Sequence, residues 1–235
     1  MISIIIPALN EEKYLPRLLQ SIKEQDFEED LEIIVADAGS KDKTREIAEK
    51  FGCKIVEGGL PAKGRNEGAK KAKYNSLFFI DADILLPKDF FRKALAEIKK
   101  RDLEIAGFYL SVQKETLFMK LLFSIFCNSF LKIYQRIAPM ACMVIFASKE
   151  INEKINGFDE EIKICEDVSY VRNGKRYAKF GIIKSTRIYI STRRFKKDGW
   201  IKSFLKYAFA NIYILIFGPI KTNIFNYKFN HYDDN

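Results

Sequence analysis

The chain has 235 residues, with 40 Lys and Arg against 31 Asp and Glu, a formal net charge of +9. With 48% hydrophobic and 14% aromatic residues, it excludes a disordered or collagen-like chain and is long enough to bury a substantial core. The excess of base admits nucleic acid, an anionic membrane surface or a phosphorylated small molecule as partner. Its placement narrows the choice. Residues 1–100 carry 18 basic and 18 acidic side chains, so the surplus lies wholly in 101–235, and Arg172 to Lys206 holds 12 basic residues against one acid, Asp198. Such a concentrated segment, followed by an apolar stretch, disfavours nucleic acid.

Ile2–Ile6 is a continuous β-branched run, the mark of a strand buried on both faces. Asn10 to Gln25 then places Leu15, Leu18, Leu19 and Ile22 at helical spacing. Leu31–Ala36 predicts a second strand, broken at Asp37-Ala38-Gly39-Ser40, with Ser40 or Asp42 to cap a helix running to about Phe51. Cys53–Val56 is a short third strand, Lys63–Lys73 a small-residue helix and Ser76–Ile80 a fourth strand. Pro87 opens a helix to about Arg101. Four β-α units in the first hundred residues predict a mostly parallel sheet with helices on both faces. Beyond residue 103 the rhythm becomes mixed. Ile105–Gln113, Cys142–Ala147 and Ile182–Thr192 have strand character; Leu117–Arg136, the stretch after Glu166-Asp167 and Trp200–Phe217 have helical character. A single continuous domain follows, with a parallel nucleotide-binding-like half, 1–103, and a mixed second half, 104–235.

The N-terminus lacks a basic signal-peptide region and is expected to be a mature first strand. The four cysteines show no C-x-x-C spacing, which argues for reduced thiols in a cytoplasmic protein. The uncharged stretches Leu121–Leu131 and Tyr207–Ile220 are shorter than the ~20 residues of a spanning helix. They suit a buried core helix or an interfacial one.

Ligands of open α/β sheets bind at the carboxyl ends of the strands. Four such ends carry polar or small residues: Pro7 to Glu11, Asp37 to Ser40, Gly58 to Arg65, and Asp81-Ala82-Asp83. Asp81 and Asp83, two apart between apolar runs, repel each other and lose hydration, which a hard divalent cation relieves. Asp37 can accept hydrogen bonds from a base or ribose. Lys63 and Arg65, beside a helix N-terminus, suit a diphosphate or a solvated basic face. Glu166-Asp167, after the turn Gly157-Phe158-Asp159, suits a general base or favourable charge at a helix N-terminus. Neither G-x-G-x-x-G after the first strand nor a P-loop is present.

Together these residues resemble the family 2 glycosyltransferases of the GT-A fold. Ile4-Ile5-Ile6-Pro7-Ala8-Leu9-Asn10-Glu11 resembles the family's V-I-I-P-x-x-N-E. Val35-Ala36-Asp37-Ala38-Gly39-Ser40-Lys41-Asp42-Lys43-Thr44 resembles V-D-D-G-S-x-D-x-T, with Ala38 in place of the second Asp. Lys63-Gly64-Arg65-Asn66-Glu67-Gly68-Ala69 is similar to A-R-N-x-G, Asp81-Ala82-Asp83 to D-x-D, and Gly157-Phe158-Asp159 through Glu166-Asp167 to G-F-D…E-D. The resemblance implies a nucleotide-sugar donor contacted by Pro7, Asn10, Glu11, Asp37, Lys63, Arg65 and Asp81. It also implies Mg²⁺ or Mn²⁺ on Asp83 and Asp167 as base in an inverting displacement. Glu166 belongs on the acceptor side, and Arg193 and Arg194, in an S-x-R-R-F element, suit the acceptor side or the diphosphate, or a plain basic surface. In some GT-A enzymes a C-terminal histidine completes the metal shell, but His231, among Asn230, Tyr232 and Asp233 in a polar tail, suits a mobile terminus better than that role. The basic segment and its apolar neighbour suit a lipid or lipid-linked acceptor and a peripheral contact at the inner face of the cell membrane. A nucleotidyltransferase would open with a Gly-rich loop, which Pro7-Ala8-Leu9-Asn10 lacks. A non-catalytic basic docking module would leave both acidic pairs idle.

Overall fold

The computed structural model describes residues 1–112, 123, 128, 135 and 139–221, the side chains at 194, 196, 201, 204, 207 and 208 excepted. Among the described residues, seven strands form one sheet: β1 (Ile2–Ala8), β2 (Leu31–Asp37), β3 (Lys54–Glu57), β4 (Ser76–Ile80), β5 (Ile105–Val112), β6 (Val144–Ser148) and β7 (Phe180–Ile190), in the order β3-β2-β1-β4-β6-β5-β7. The first four run parallel. β6 lies antiparallel between β4 and β5, and β7 is parallel to β5. The carboxyl ends of β1 to β5 and β7 and the amino end of β6 therefore share one edge.

Alternation along each strand splits the core into two layers. Ile4 and Ile6 of β1, with Phe78 and Ile80 of β4, face the helices α1 (Leu15–Lys23) and α4 (Phe90–Arg101). Ile5, Leu77 and Phe79 face α3 (Pro61–Lys70), α5 (Lys149–Lys154) and α6 (Glu166–Gly174). Between these, α2 (Thr44–Lys50) follows β2, while α7 (Arg193–Asp198) and α8 (Trp200–Phe217) follow β7. The close approach of α3 needs its glycine: a Cβ on Gly68 would lie 2.3 Å from Ile5 Cγ2.

Three expectations need correction. The first helix starts at Leu15, not Asn10, because Asn10 takes a left-handed φ of 53°. The amides of Asn10, Glu11 and Glu12 are then spent on Ser40, Thr44 and Asp42 side chains. Ser40 is thus a loop clasp rather than a cap, while Asp42 does accept the Thr44 amide, at 2.9 Å. The fourth helix starts at Phe90, after a turn in which the Phe90 amide donates to Pro87 O. The short helices α5 and α7 were not foreseen; six-residue helices carry too few periods to be read from sequence. The expected helix Leu117–Arg136 lies outside the described residues except at Phe123, Asn128 and Gln135. α8 is neither simply core nor simply exposed, since it buries one face and leaves the other open.

Candidate active site

Four loops at the common sheet edge build the site. The β1–α1 and β2–α2 loops are stitched together: beside the bonds above, the Lys41 amide donates to Asn10 Oδ1 and the Lys43 amide to Glu12 Oε2. Asp37 is buried at the tip of β2. Its carboxylate accepts from the Gly39 and Ser40 amides at 3.3 Å and from Arg45 at 3.0 Å. Pro7 meets α3 at Gly64, where a Cβ would lie 3.2 Å from Pro7 Cβ. Lys63 is exposed on the first turn of α3.

Arg65 is the hub. Its side chain is 4% exposed and donates to Asp81 Oδ1 at 2.7 Å and to Glu166 Oε1 at 2.5 Å. It joins the end of β4 to the start of α6, 101 residues away. Its guanidinium also lies over the Phe158 ring, 5.2 Å from the centroid. Phe158 in turn stacks on Tyr170 at 3.9 Å. The next residue, Asn66, holds the Gly157-Phe158 turn by accepting from the Phe158 amide and donating to its carbonyl, both at 2.8 Å. Gly157 has a φ of +69°, and a Cβ there would fall 2.4 Å from Asn66 Oδ1. The Arg65-Asn66 pair thus locks the acidic helix start to the sheet.

A second arginine serves the other aspartate. Leu85 and Tyr189 exchange backbone hydrogen bonds, which brings the segment after β7 against the Asp81–Asp83 loop. There Arg193 donates to Glu11 Oε1 at 2.7 Å and Oε2 at 3.1 Å. Its Nε lies 3.2 Å from Asp83 Oδ2, and its guanidinium stacks 4.3 Å above the Tyr14 ring. Carboxylates and guanidiniums therefore alternate as Glu11–Arg193–Asp83 and Asp81–Arg65–Glu166.

The electrostatics separate these carboxylates. Burial raises Asp81, helped by its neighbours Asp83 and Glu166 and opposed by Arg65. Burial would lower Arg65, but Asp81, Glu166 and Asp167 push it well above its ordinary range, so it remains a cation. Asp167 is pushed up to about 7, chiefly by burial and then by the Glu166 charge, with Arg65 and the Val168 amide pulling it back. Cys165, which precedes this pair in a left-handed conformation (φ 61°), is raised by burial and by both carboxylates, so it is no thiolate nucleophile. A carboxyl held near neutrality can take a proton at physiological pH.

Residues 3–155 match the model of glycosyl transferase family 2. The chain belongs to that family. Its sheet is the GT-A fold, and it is similar to TarS, a poly(ribitol-phosphate) β-N-acetylglucosaminyltransferase of Staphylococcus aureus, 33% identical over 112 residues, 44% of this chain and 20% of that protein. The structure of TarS 1–349 in complex with UDP-GlcNAc aligns with a TM-score of 0.64 at 25% identity, covering 80% of this chain and 57% of that one. A 4,4'-diaponeurosporenoate glycosyltransferase of Staphylococcus haemolyticus is 36% identical over 105 residues, 41% of this chain and 28% of its own length. The mannosyltransferase PcManGT from Pyrobaculum calidifontis, in complex with GDP-Man and Mn²⁺, shares the fold at a TM-score of 0.64 and 17% identity, covering 88% of this chain and 64% of that one. This family 2 chain thus spans less than a third of the length of these two curated relatives.

Of the residues expected at the site, Glu11, Arg65, Asp81, Asp83, Glu166 and Arg193 are joined in two chains of ion pairs, and Asp167 adjoins them through charge. Lys63 does not contact this network. The Arg194 side chain and His231 lie outside the described residues. Sequence reasoning missed Tyr14, Asn66, Phe158 and Tyr170. Asn66 and Phe158 stood in the strings Arg65-Asn66 and Gly157-Phe158-Asp159, whereas Tyr14 and Tyr170 carried no signal.

Proposed function

We propose that this chain transfers a sugar from a nucleotide-sugar donor to a hydroxyl or phosphate acceptor by a single inverting displacement. Asp167 is the base and Asp83 the protein ligand for Mg²⁺ or Mn²⁺. The observation that carries the reading is the arrangement of the two acidic pairs on either side of Arg65, with Asp167 pushed up to about 7 by burial and the Glu166 charge. A nucleotidyltransferase needs no such carboxyl opposite its phosphate site.

The chemistry of the cluster fits a divalent cation. Five carboxylates, those of Glu11, Asp81, Asp83, Glu166 and Asp167, face the guanidiniums of Arg65 and Arg193 and leave a net negative cluster. A diphosphate cannot settle beside it without added positive charge. Asp83 would offer such an ion hard carboxylate oxygens. When bound, such an ion stabilises charge developing on the leaving diphosphate. Arg193 adds a second cation on the same side. Asp81, fixed by Arg65, accepts from the ribose or base, as does Asp37 at the tip of β2; Pro7, Asn10 and Glu11 shape the donor loop and Lys63 flanks it. Asp167 takes the acceptor proton as the new glycosidic bond forms on the face opposite the leaving group. Glu166 keeps Arg65 in place.

A lipid or lipid-linked acceptor, met at the inner face of the cell membrane, is consistent with the basic second half. It also accords with a relative whose name gives diaponeurosporenoate as its substrate. No helix among the described residues is long and apolar enough to cross a membrane. Thermal stabilisation by a panel of nucleotide sugars with Mg²⁺ or Mn²⁺ identifies the donor. Transfer is then measured for Asp83→Ala and Asp167→Asn. Each is expected to lose at least about a hundredfold in turnover with its melting temperature kept. Wild-type turnover in both variants would refute the assignment.

A further inference from the structure

The Arg193 guanidinium bridges two carboxylates. Its fork grips Glu11 with two hydrogen bonds, and its face lies 4.3 Å from the centre of the Tyr14 ring. Its third nitrogen, Nε, lies 3.2 Å from Asp83 Oδ2. The Arg193 side chain is 10% exposed, and those of Glu11 and Asp83 are each 14% exposed, so water screens neither pair well. The segment that carries the arginine is itself held. Leu85 and Tyr189 exchange backbone hydrogen bonds just beyond Asp83, and the Arg193 amide donates to Ser191 Oγ at 3.3 Å. Two residues further on, buried Phe195 packs against Phe123 and stacks on Trp200. Arg193 is therefore delivered to Asp83 by the fold and not by the chance reach of a surface side chain.

Asp83 is also the carboxylate that the transferase reading assigns to Mg²⁺ or Mn²⁺. A guanidinium and a divalent ion cannot both sit against Oδ2, because their like charges would meet within a few ångströms where screening is poor. Arg193 can give up that oxygen without leaving the site, since Glu11 holds its fork and Tyr14 its face. Arg65 has no such freedom: it is 4% exposed and donates hydrogen bonds to both of its carboxylates, Asp81 and Glu166. The two arginines therefore differ in kind, one fixed and one exchangeable.

We propose that Arg193 is a built-in counter-ion of Asp83 that a divalent cation has to displace, and that it thereby sets the metal affinity of the site. With the guanidinium against it, Asp83 has a low affinity for a free metal ion. A cation that arrives with a diphosphate is favoured, because the phosphates give the displaced guanidinium new partners of opposite charge. Arg193 thus couples metal uptake to donor uptake. Glu11 acquires a role in the same exchange, as the positioning residue that keeps Arg193 within reach of both partners. The inference rests on the reading of Asp83 as the metal ligand.

The test is calorimetric titration of the full chain with Mn²⁺ alone. Arg193→Gln is expected to bind Mn²⁺ about tenfold more tightly than the wild type, a difference of about 1.4 kcal/mol. The gain is expected to vanish in Arg193→Gln/Asp83→Asn. The double variant Glu11→Gln/Arg193→Gln removes one charge of each sign, so the net charge of the site is unchanged and no unpaired Glu11 is left to weaken the fold. It is expected to keep a gain of about threefold or more over the wild type. The rise in melting temperature on adding Mn²⁺ gives the same ranking by a second route. Equal affinity in the wild type and Arg193→Gln, or a gain absent from the charge-balanced double variant, overturns the inference and leaves Asp83 standing as the metal ligand. A gain that survives Asp83→Asn, or no Mn²⁺ binding by any of these proteins, overturns it together with the metal assignment.

Discussion

Replacing Arg65 by methionine keeps most of the side-chain volume and deletes the charge. The variant loses two charge-assisted hydrogen bonds, to Asp81 and Glu166, and leaves three neighbouring carboxyls without their buried counter-ion. Removing one partner of a buried ion pair costs about 3–5 kcal/mol. Asp81 is 30% exposed and can recover some hydration, so about 3 kcal/mol is the expected loss near neutral pH. For a chain of this size, that is a fall of roughly 6–12 °C in melting temperature. The loss must depend on pH. Without Arg65 the folded-state carboxyls have pKa values raised above those of the unfolded chain, so the folded state binds more protons. Stability then falls as pH rises from about 4 through the raised values. The penalty is expected to be small at pH 5 and full at pH 8. Asp167 moves up from about 7 as well, because Arg65 is what pulls it back. A shift of about one unit leaves roughly a tenth of it ionised at pH 7 instead of about half. Urea denaturation of wild type and Arg65→Met at the two pH values measures the first effect, and the pH dependence of kcat/KM the second. Equal stability loss at pH 5 and pH 8 would refute the assignment of Arg65 as the counter-ion of this cluster.

Three further outcomes follow from individual contacts. With Asp167 at about 7, kcat/KM of the wild type should rise with pH to a midpoint near that value and fall tenfold per unit below it; a flat profile between pH 5 and 8 would exclude Asp167 as base. Gly68→Val places side-chain carbon where Ile5 already lies 2.3 Å from an ideal Cβ, and is expected to destabilise by about 1–3 kcal/mol in urea titration, against a negligible effect for Lys70→Val on the exposed face. Glu97 accepts from the Lys184 and Ser185 amides in the bulge of β7 and, although burial alone would raise it, these bonds and Arg101 hold it down at about 2. Its folded pKa is depressed, so it contributes stability above pH 4.5 that is lost as pH falls toward 2. Glu97→Gln should therefore cost on the order of 2 kcal/mol at pH 7 and almost nothing at pH 2.

How much of this was legible in the sequence depends on the range of the interaction. β4 was read residue for residue, Ser76–Ile80, and so was α8, Trp200–Phe217, because apolar runs and their breaks are local signals. The start of α1 was misplaced because the amides of Asn10 to Glu12 are claimed by side chains some 30 residues away. No local pattern records that competition. The acidic pairs were visible as candidate ligands, since close carboxylates next to apolar runs are costly unless charge is supplied. What stayed hidden was who supplies it. Arg65 stood in the sequence as a basic residue near a helix start, suited to an external phosphate. In the fold, Gly64 and Gly68 let α3 sink against β1, and that descent carries Arg65 under the surface between Asp81 and Glu166. The same burial bears on how the charge balance of the first hundred residues is read. Bases there are not all free to meet a ligand, because at least one is consumed in holding carboxylates in place. A net charge counted over a segment therefore bounds what the segment can attract only after its buried pairs are removed from the count. Arg193 makes the same point from the other half: nominally part of the basic surplus, it lies against Glu11 and Asp83. Setting aside Arg65 and Arg193 with the four carboxylates they hold removes two bases and four acids, so this pairing relocates the positive surplus to the remaining side chains without diminishing it.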